Sequence, residues 1–140
     1  MTEPLYTTEI LRLAASLQDP HELDREDGCA EVRSPTCGSR VSLLVQLDED
    51  RRVERMSMTV HACAFGQASA ALVEKHACGR RHDEIAEVLV ALSRWLAHSH
   101  ERQPGWPGIK ALGPARSYKG RHGAILLPFR ALLAAMEAAE

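Results

Sequence analysis

Between residues 41 and 60 the chain alternates twice with a period of two. Val41, Leu43, Val45 and Leu47 alternate with Ser42, Leu44, Gln46 and Asp48, and Met56, Met58 and Val60 alternate with Ser57, Thr59 and His61. Successive strand side chains point to opposite faces, so each stretch predicts a strand with one apolar face. The acidic run Asp48-Glu49-Asp50 predicts a hairpin between them. A weaker alternation from Cys29 to Arg33 predicts a third strand. Strands buried on one face only imply an antiparallel sheet that something else must cover.

Helical segments supply the cover. Ile10, Leu13, Ala14 and Leu17 recur at the spacing of one helix face. Thr7 or Thr8 can cap that helix, and Asp19-Pro20 ends it. Polar residues 18–27 read as a connector. After the last strand, Ala64 to Ala77 predicts a helix rich in small residues, stopped at Cys78-Gly79 with Gly79 as a left-handed C′ residue. Asp83 to His98 predicts a second helix through the stripe Ile85, Val88, Leu89, Leu92, Trp95 and Leu96. Residues 99–120 hold three prolines and several glycines and read as a long loop. Ala124 to Ala139 predicts a closing helix in which Pro128 either marks the first turn or introduces a kink. Strands and helices are segregated along the chain, which predicts an α+β fold: a small three-stranded antiparallel sheet with helices packed on one face. All 140 residues fit a single domain spanning 1–140.

Charge narrows the partners. Nineteen acidic against seventeen basic residues leave a net charge of −2, which gives no electrostatic reason to expect nucleic acid or an anionic membrane. No apolar run approaches the ~18 residues of a membrane span. Met1-Thr2-Glu3-Pro4 carries neither the basic nor the apolar region of a signal peptide, so a cytoplasmic protein is expected. The pairs Arg51-Arg52 and Arg80-Arg81 read as solvated turn residues.

Thiols in that compartment are kept reduced, so the four cysteines suggest metal binding or thiol chemistry, or simply small buried side chains. Cys37 lies in Ser34-Pro35-Thr36-Cys37-Gly38-Ser39, between the first two strands. Cys63 lies in His61-Ala62-Cys63-Ala64-Phe65-Gly66, where the third strand passes into a helix. In an antiparallel sheet these two junctions fall at the same edge, so the sulfurs are expected close together. The unpaired N–H groups of a helix N-terminus favour a thiolate at Cys63, the form that soft metals and iron–sulfur clusters bind. His61 precedes Cys63 by two residues, which in a strand puts both on the same face, so it could reach the site. Cys29 and Cys78 read as structural, and the repeat of His61-Ala62-Cys63 in His76-Ala77-Cys78 as coincidence.

Ser-Pro-Thr-Cys37-Gly38 leading into an alternating strand, followed by a strand that ends at Cys63-x-x-Gly66-x-Ala68-Ser69-Ala70, resembles the NifU/IscU/SufU family of iron–sulfur cluster assembly scaffolds. The leading helix near Tyr6 and the helix pair broken near Gly79 with Asp83-Glu84 match as well, so the resemblance extends over about residues 5–138. It implies a non-enzymatic scaffold that assembles a [2Fe-2S] cluster on three cysteines and an Asp or His, takes sulfur from a cysteine desulfurase and passes the cluster to apoproteins. Zinc binds the same site in some relatives. Cys37 and Cys63 match two of the ligand cysteines.

Two family positions differ. The Asp two residues after the first cysteine is Ser39. The third cysteine, which opens the last helix and is the family's usual persulfide acceptor, is absent: it falls on Ala124 in a SufU-like alignment and on Gly123 in an IscU-like one. His122 is the replacement expected for it, since imidazole serves both zinc and iron. Cys37, Cys63 and His122 would then hold iron, a cluster or zinc, with Ser39 and His61 as weaker donors. Two other functions fit the same residues. Cys63 could act as a nucleophile with His61 or His122 as base, or the fold could serve as a metal-free protein-interaction module.

Overall fold

The computed structural model describes residues 6–35, 38–98 and 100–139. Helix α1 (Thr8–Ala15) opens on a Thr7 cap whose hydroxyl accepts the Ile10 N–H at 3.1 Å. Three antiparallel strands follow in the order β1-β2-β3: β1 (Gly28–Arg33), β2 (Arg40–Leu47) and β3 (Val53–His61). Then come α2 (Ala64–His76), α3 (His82–Ala97), a stretch of 3-10 turns (Ile109–Ser117 and Lys119–Arg121) and α4 (His122–Ala138). The order and the α+β class are those the sequence predicts.

The register carries the predicted alternation through the sheet. Val41 pairs with Val60, Leu43 with Met58 and Val45 with Met56. These positions form the inner face, and all but the half-buried Val60 are buried in the core. Asp48 closes the β2–β3 hairpin, accepting the Asp50 and Arg52 N–H groups on its carboxylate, both at 2.9 Å. The outer face is not bare. Connector 18–27 crosses it, with the His21 N–H donating to Ser57 Oγ at 2.8 Å and the Leu47 N–H to Asp27 Oδ2 at 2.7 Å.

Helix α4 is the centre of the helical layer. It is buried on nearly every side from Ala124 to Met136, between the sheet on one side and α2 and α3 on the other. At its C-terminal end the Ala135 carbonyl lies directly over Gly28, where a Cβ would overlap it. At its N-terminal end Ala124 packs on Gly66 in the first turn of α2: a Cβ on Gly66 would stand 3.3 Å from both Cβ and O of Ala124. Ser69 reinforces this contact by donating its hydroxyl to the Ile125 carbonyl at 2.6 Å. Pro128 sits beyond the first turn, inside the helix, so its missing N–H leaves Ala124 O without the usual helical partner.

Three expectations need correction. Residues 109–121 are ordered in 3-10 turns rather than an irregular loop. Ile109, Leu112 and Ala115 are fully buried and recur every third residue, the period of a 3-10 helix. Trp106 anchors the stretch: its indole N–H donates to Leu72 O at 3.0 Å and its ring meets Phe129 edge-on at 5.2 Å. The arginine pairs are not merely solvated. Arg80 stacks over Trp106 at 4.4 Å, and Arg52 donates to Gly79 O at 2.8 Å. Finally, Cys29 and Cys78 are both exposed, so neither fills the core.

Two outcomes follow from these contacts. Gly28→Ala is expected to cost about 1–3 kcal/mol through overpacking against α4, read from urea unfolding. Gly105→Ala, where nothing lies within 4 Å, should shift the midpoint far less. The Leu47 N–H, and after it the Arg25 guanidinium, hold the Asp27 carboxyl below its ordinary value of 3.8 against a partial desolvation that raises it. A folded-state value below the unfolded one adds stability that is complete above pH 3.8 and is lost as the pH falls through the folded value. The stability gap between wild type and Asp27→Asn should therefore narrow on acidification below that pH.

Candidate metal centre

Three segments converge at one end of the sheet. The β1–β2 loop is closed by Ser34 N–H donating to Ser39 O at 2.9 Å and Gly38 N–H to Ser34 O at 3.2 Å. Gly38 takes φ of 72°, the left-handed region a glycine adopts without a Cβ penalty. Ser39 is buried, and the next residue, Arg40, is the register partner of His61. The loop's exit therefore lies at the end where β3 passes into α2. Cys37, with Thr36, lies outside the described residues.

Cys63 is the N-cap residue of α2. Its backbone is extended there, with φ −66° and ψ 174°, and its side chain makes no capping hydrogen bond. Its carbonyl accepts the Gln67 N–H at 3.0 Å, starting the helix. The half-buried sulfur stands at the positive end of α2, against the edge of the core.

His122 opens α4. Since Ala124 packs on Gly66, the first turns of α2 and α4 lie side by side. Cys63, just before one, and His122, first residue of the other, are thus brought to the same end of the molecule. Nε2 of His122 lies 3.0 Å from Ala115 O and 3.1 Å from Arg116 O. A carbonyl cannot donate, so Nε2 carries the proton of the neutral ring and Nδ1 keeps its lone pair. A metal-bound histidine is oriented in this way, through its other nitrogen to a backbone carbonyl.

The weaker candidates separate. β3 ends at His61 and Ala62 turns the chain, so strand alternation does not extend to Cys63. His61 is exposed at an outer-face position of the sheet, opposite Arg40, whereas Cys63 packs toward the core. Cys78 follows the other end of α2 and donates to Glu54 O at 3.3 Å. Cys29 is on the outer face of β1, and its hydrogen bond to the Glu26 carboxylate pushes its thiol pKa up. Neither reaches the Cys63 end. Among the described residues no three His, Cys, Asp or Glu side chains gather as a metal-binding group. Also among them, no helix is long and apolar enough to cross a membrane.

One contributor was missed in the sequence. Arg116, inside the stretch read as a loop, supplies one of the two carbonyls that hold His122. The spacing of Ile109, Leu112 and Ala115 at every third residue is the sequence signal that could have marked this stretch as ordered.

The NifU-like N-terminal domain family matches residues 5–95, which include Cys37, Cys63, Ser39 and His61. The chain belongs to that family. His122 and α4 follow the matched region. A nitrogen-fixing NifU-like protein (N-terminal) from Brucella abortus superposes with a TM-score of 0.86 and 28% identity, over 96% of this chain and 94% of that one. A protein described as a SUF-system iron–sulfur cluster assembly scaffold, from Fervidobacterium islandicum AW-1, shares the fold with a TM-score of 0.75 at 20% identity, over 94% of this chain and 96% of that one. The iron–sulfur cluster assembly scaffold protein IscU of Streptococcus pyogenes serotype M1 is 28% identical over 103 residues, or 72% of this chain. The match spans 61% of the length of that curated relative.

The packing distinguishes Ala124 from Gly123, the two positions onto which the resemblance places a third cysteine. Ala124 is buried against Gly66, with 1% of its surface exposed, whereas Gly123 is half-exposed. Ala124→Cys is therefore expected to cost about 1–3 kcal/mol by overpacking the α2–α4 contact, read from urea unfolding. Gly123→Cys should be tolerated with less loss.

Proposed function

We propose that this protein is an iron–sulfur cluster assembly scaffold in which Cys37, Cys63 and His122 hold the metal or cluster it carries. The observation that carries the reading is the Gly66–Ala124 contact, which sets the helix bearing Cys63 beside the helix bearing His122, in a chain of the NifU-like family. The relatives described as scaffolds for cluster assembly support the same reading. The sulfur donor would be a cysteine desulfurase and the recipients apoproteins that take up the cluster.

The donor set decides what is held well. A cluster on three thiolates and a carboxylate has more negative charge to offset its iron than one on two thiolates and an imidazole. A [2Fe-2S] cluster is therefore held loosely here and given up readily. Tetrahedral zinc needs only four donors, one of which can be water, so two thiolates and an imidazole suit it better. With no cysteine opening α4, the thiolate of Cys37 or Cys63 would attack the outer sulfur of the desulfurase's cysteine persulfide, taking that sulfur as its own persulfide and releasing the desulfurase thiolate.

Metal analysis and absorption spectra of anaerobically purified protein test this reading. The expected result is iron with cluster absorption that chelators remove, or zinc. Cys63→Ser should abolish stoichiometric metal. His122→Ala should weaken zinc at least about tenfold, the lower end of the loss seen when even a ligand's supporting partner is removed. Unchanged metal in His122→Ala would make that residue a bystander. Neither iron nor zinc, with a fast-reacting Cys63, would point instead to thiol chemistry. Neither metal, with inert cysteines, would leave a metal-free interaction module.

A further inference from the structure

We propose that Arg116 is a positioning residue for the metal centre: it fixes the two carbonyls that hold His122 in the Nε2–H tautomer, so that Nδ1 is the atom offered to the metal. This rests on His122 being a ligand.

The chain of contacts runs from the end of α3 to the start of α4. The last carbonyls of a helix lack partners within it. At the end of α3, Arg116 supplies them: its Nε donates to Trp95 O and its Nη2 to His98 O, both at 2.8 Å. The guanidinium also stacks over the Trp95 ring at 4.7 Å, and Trp95 is buried. The side chain is thus fixed by two charge-assisted hydrogen bonds and a cation–π contact. Displacing its backbone would strain these contacts. That backbone, with the preceding residue's, presents Ala115 O and Arg116 O to His122 Nε2. Ala115 O is held further by the Tyr118 N–H at 2.9 Å, and the Ala115 side chain is fully buried.

A ring whose Nε2 proton is shared between two anchored carbonyls loses both the other tautomer and most of its rotation about χ2. Both losses are settled before metal arrives, so binding at Nδ1 carries less ordering cost. Because the carbonyls come from the 3-10 stretch and not from α4, the orientation of His122 depends on a segment docked by Arg116. Lysine cannot reproduce the arrangement, since a single ammonium lacks the planar fork that reaches both carbonyls and lies flat on the indole.

The test compares wild type, Arg116→Ala and Arg116→Lys in two readouts. The first is ¹⁵N NMR of the histidine rings without metal, at a pH where the ring is neutral. Wild-type His122 should be a single Nε2–H tautomer, Arg116→Ala a mixture, and Arg116→Lys intermediate. The second is titration with Co(II), followed by its thiolate and imidazole absorption bands. Arg116→Ala should bind about tenfold or more weakly, with partial recovery in Arg116→Lys. Far-ultraviolet circular dichroism separates these effects from unfolding, and Arg116→Lys serves if Arg116→Ala does not fold. A wild-type ring of mixed tautomers overturns the positioning role whatever the metal result. Unchanged tautomer and Co(II) affinity in both variants also overturns it. A wild type with the expected tautomer that takes up no Co(II) refutes the metal-centre reading, and with it the assignment of Nδ1 as a ligand.

Discussion

The fold depends on two places where α4 approaches its neighbours without an intervening side chain. At Gly28 the helix backbone touches the start of β1, and at Gly66 the Ala124 methyl and carbonyl meet the first turn of α2. The contacts lie at opposite ends of the helix and fix its direction, antiparallel to β1, as well as its axial position. The narrow solvent-facing stripe of α4, Arg130, Leu133, Ala134 and Glu137, sets its rotation. Close approach at the small residues sets its distance from its neighbours, because close-packed interiors tolerate little mismatch. The start of α4 is held beside Cys63 by the same contacts that complete the core.

The same packing fixes what stands at this end of the molecule. Ala124, onto which the SufU-like resemblance places a thiol, is buried against Gly66 and serves the packing of α4 on α2. His122, two residues earlier, has its Nε2 held by two backbone carbonyls. Its support comes from the 3-10 stretch, which is docked in turn by Trp106 on α2 and α4 and by Arg116 on the end of α3. Residues far apart in sequence, such as Trp95 and His122, are linked through a few hydrogen bonds to backbone carbonyls.

Much of this was legible in the chain, for identifiable reasons. The inner residues of β2 and β3 alternate because one face is buried, and Ile85, Leu92, Trp95 and Leu96 recur helically because α3 packs by one face. The Cys37 and Cys63 motifs each sit at an element junction and could be read locally. The loop reading failed over residues 109–120 because prolines and glycines mark turns in general, whereas the order there comes from burial of Ile109, Leu112 and Ala115. The face shared by His61 and Cys63 failed because alternation holds only while the strand lasts, and β3 stops at His61.

The sequence by itself determined the elements, the α+β class, the family and the candidate donors, because periodicity and short motifs are local properties of the chain. Only the tertiary structure decided that connector 18–27 covers the outer face of the sheet, that Ala124 is a packing residue, and that His122 is oriented by the carbonyls of Ala115 and Arg116. Each of these depends on which backbone atoms meet across long stretches of chain. Such meetings are set by packing between elements, for which side-chain periodicity leaves no mark.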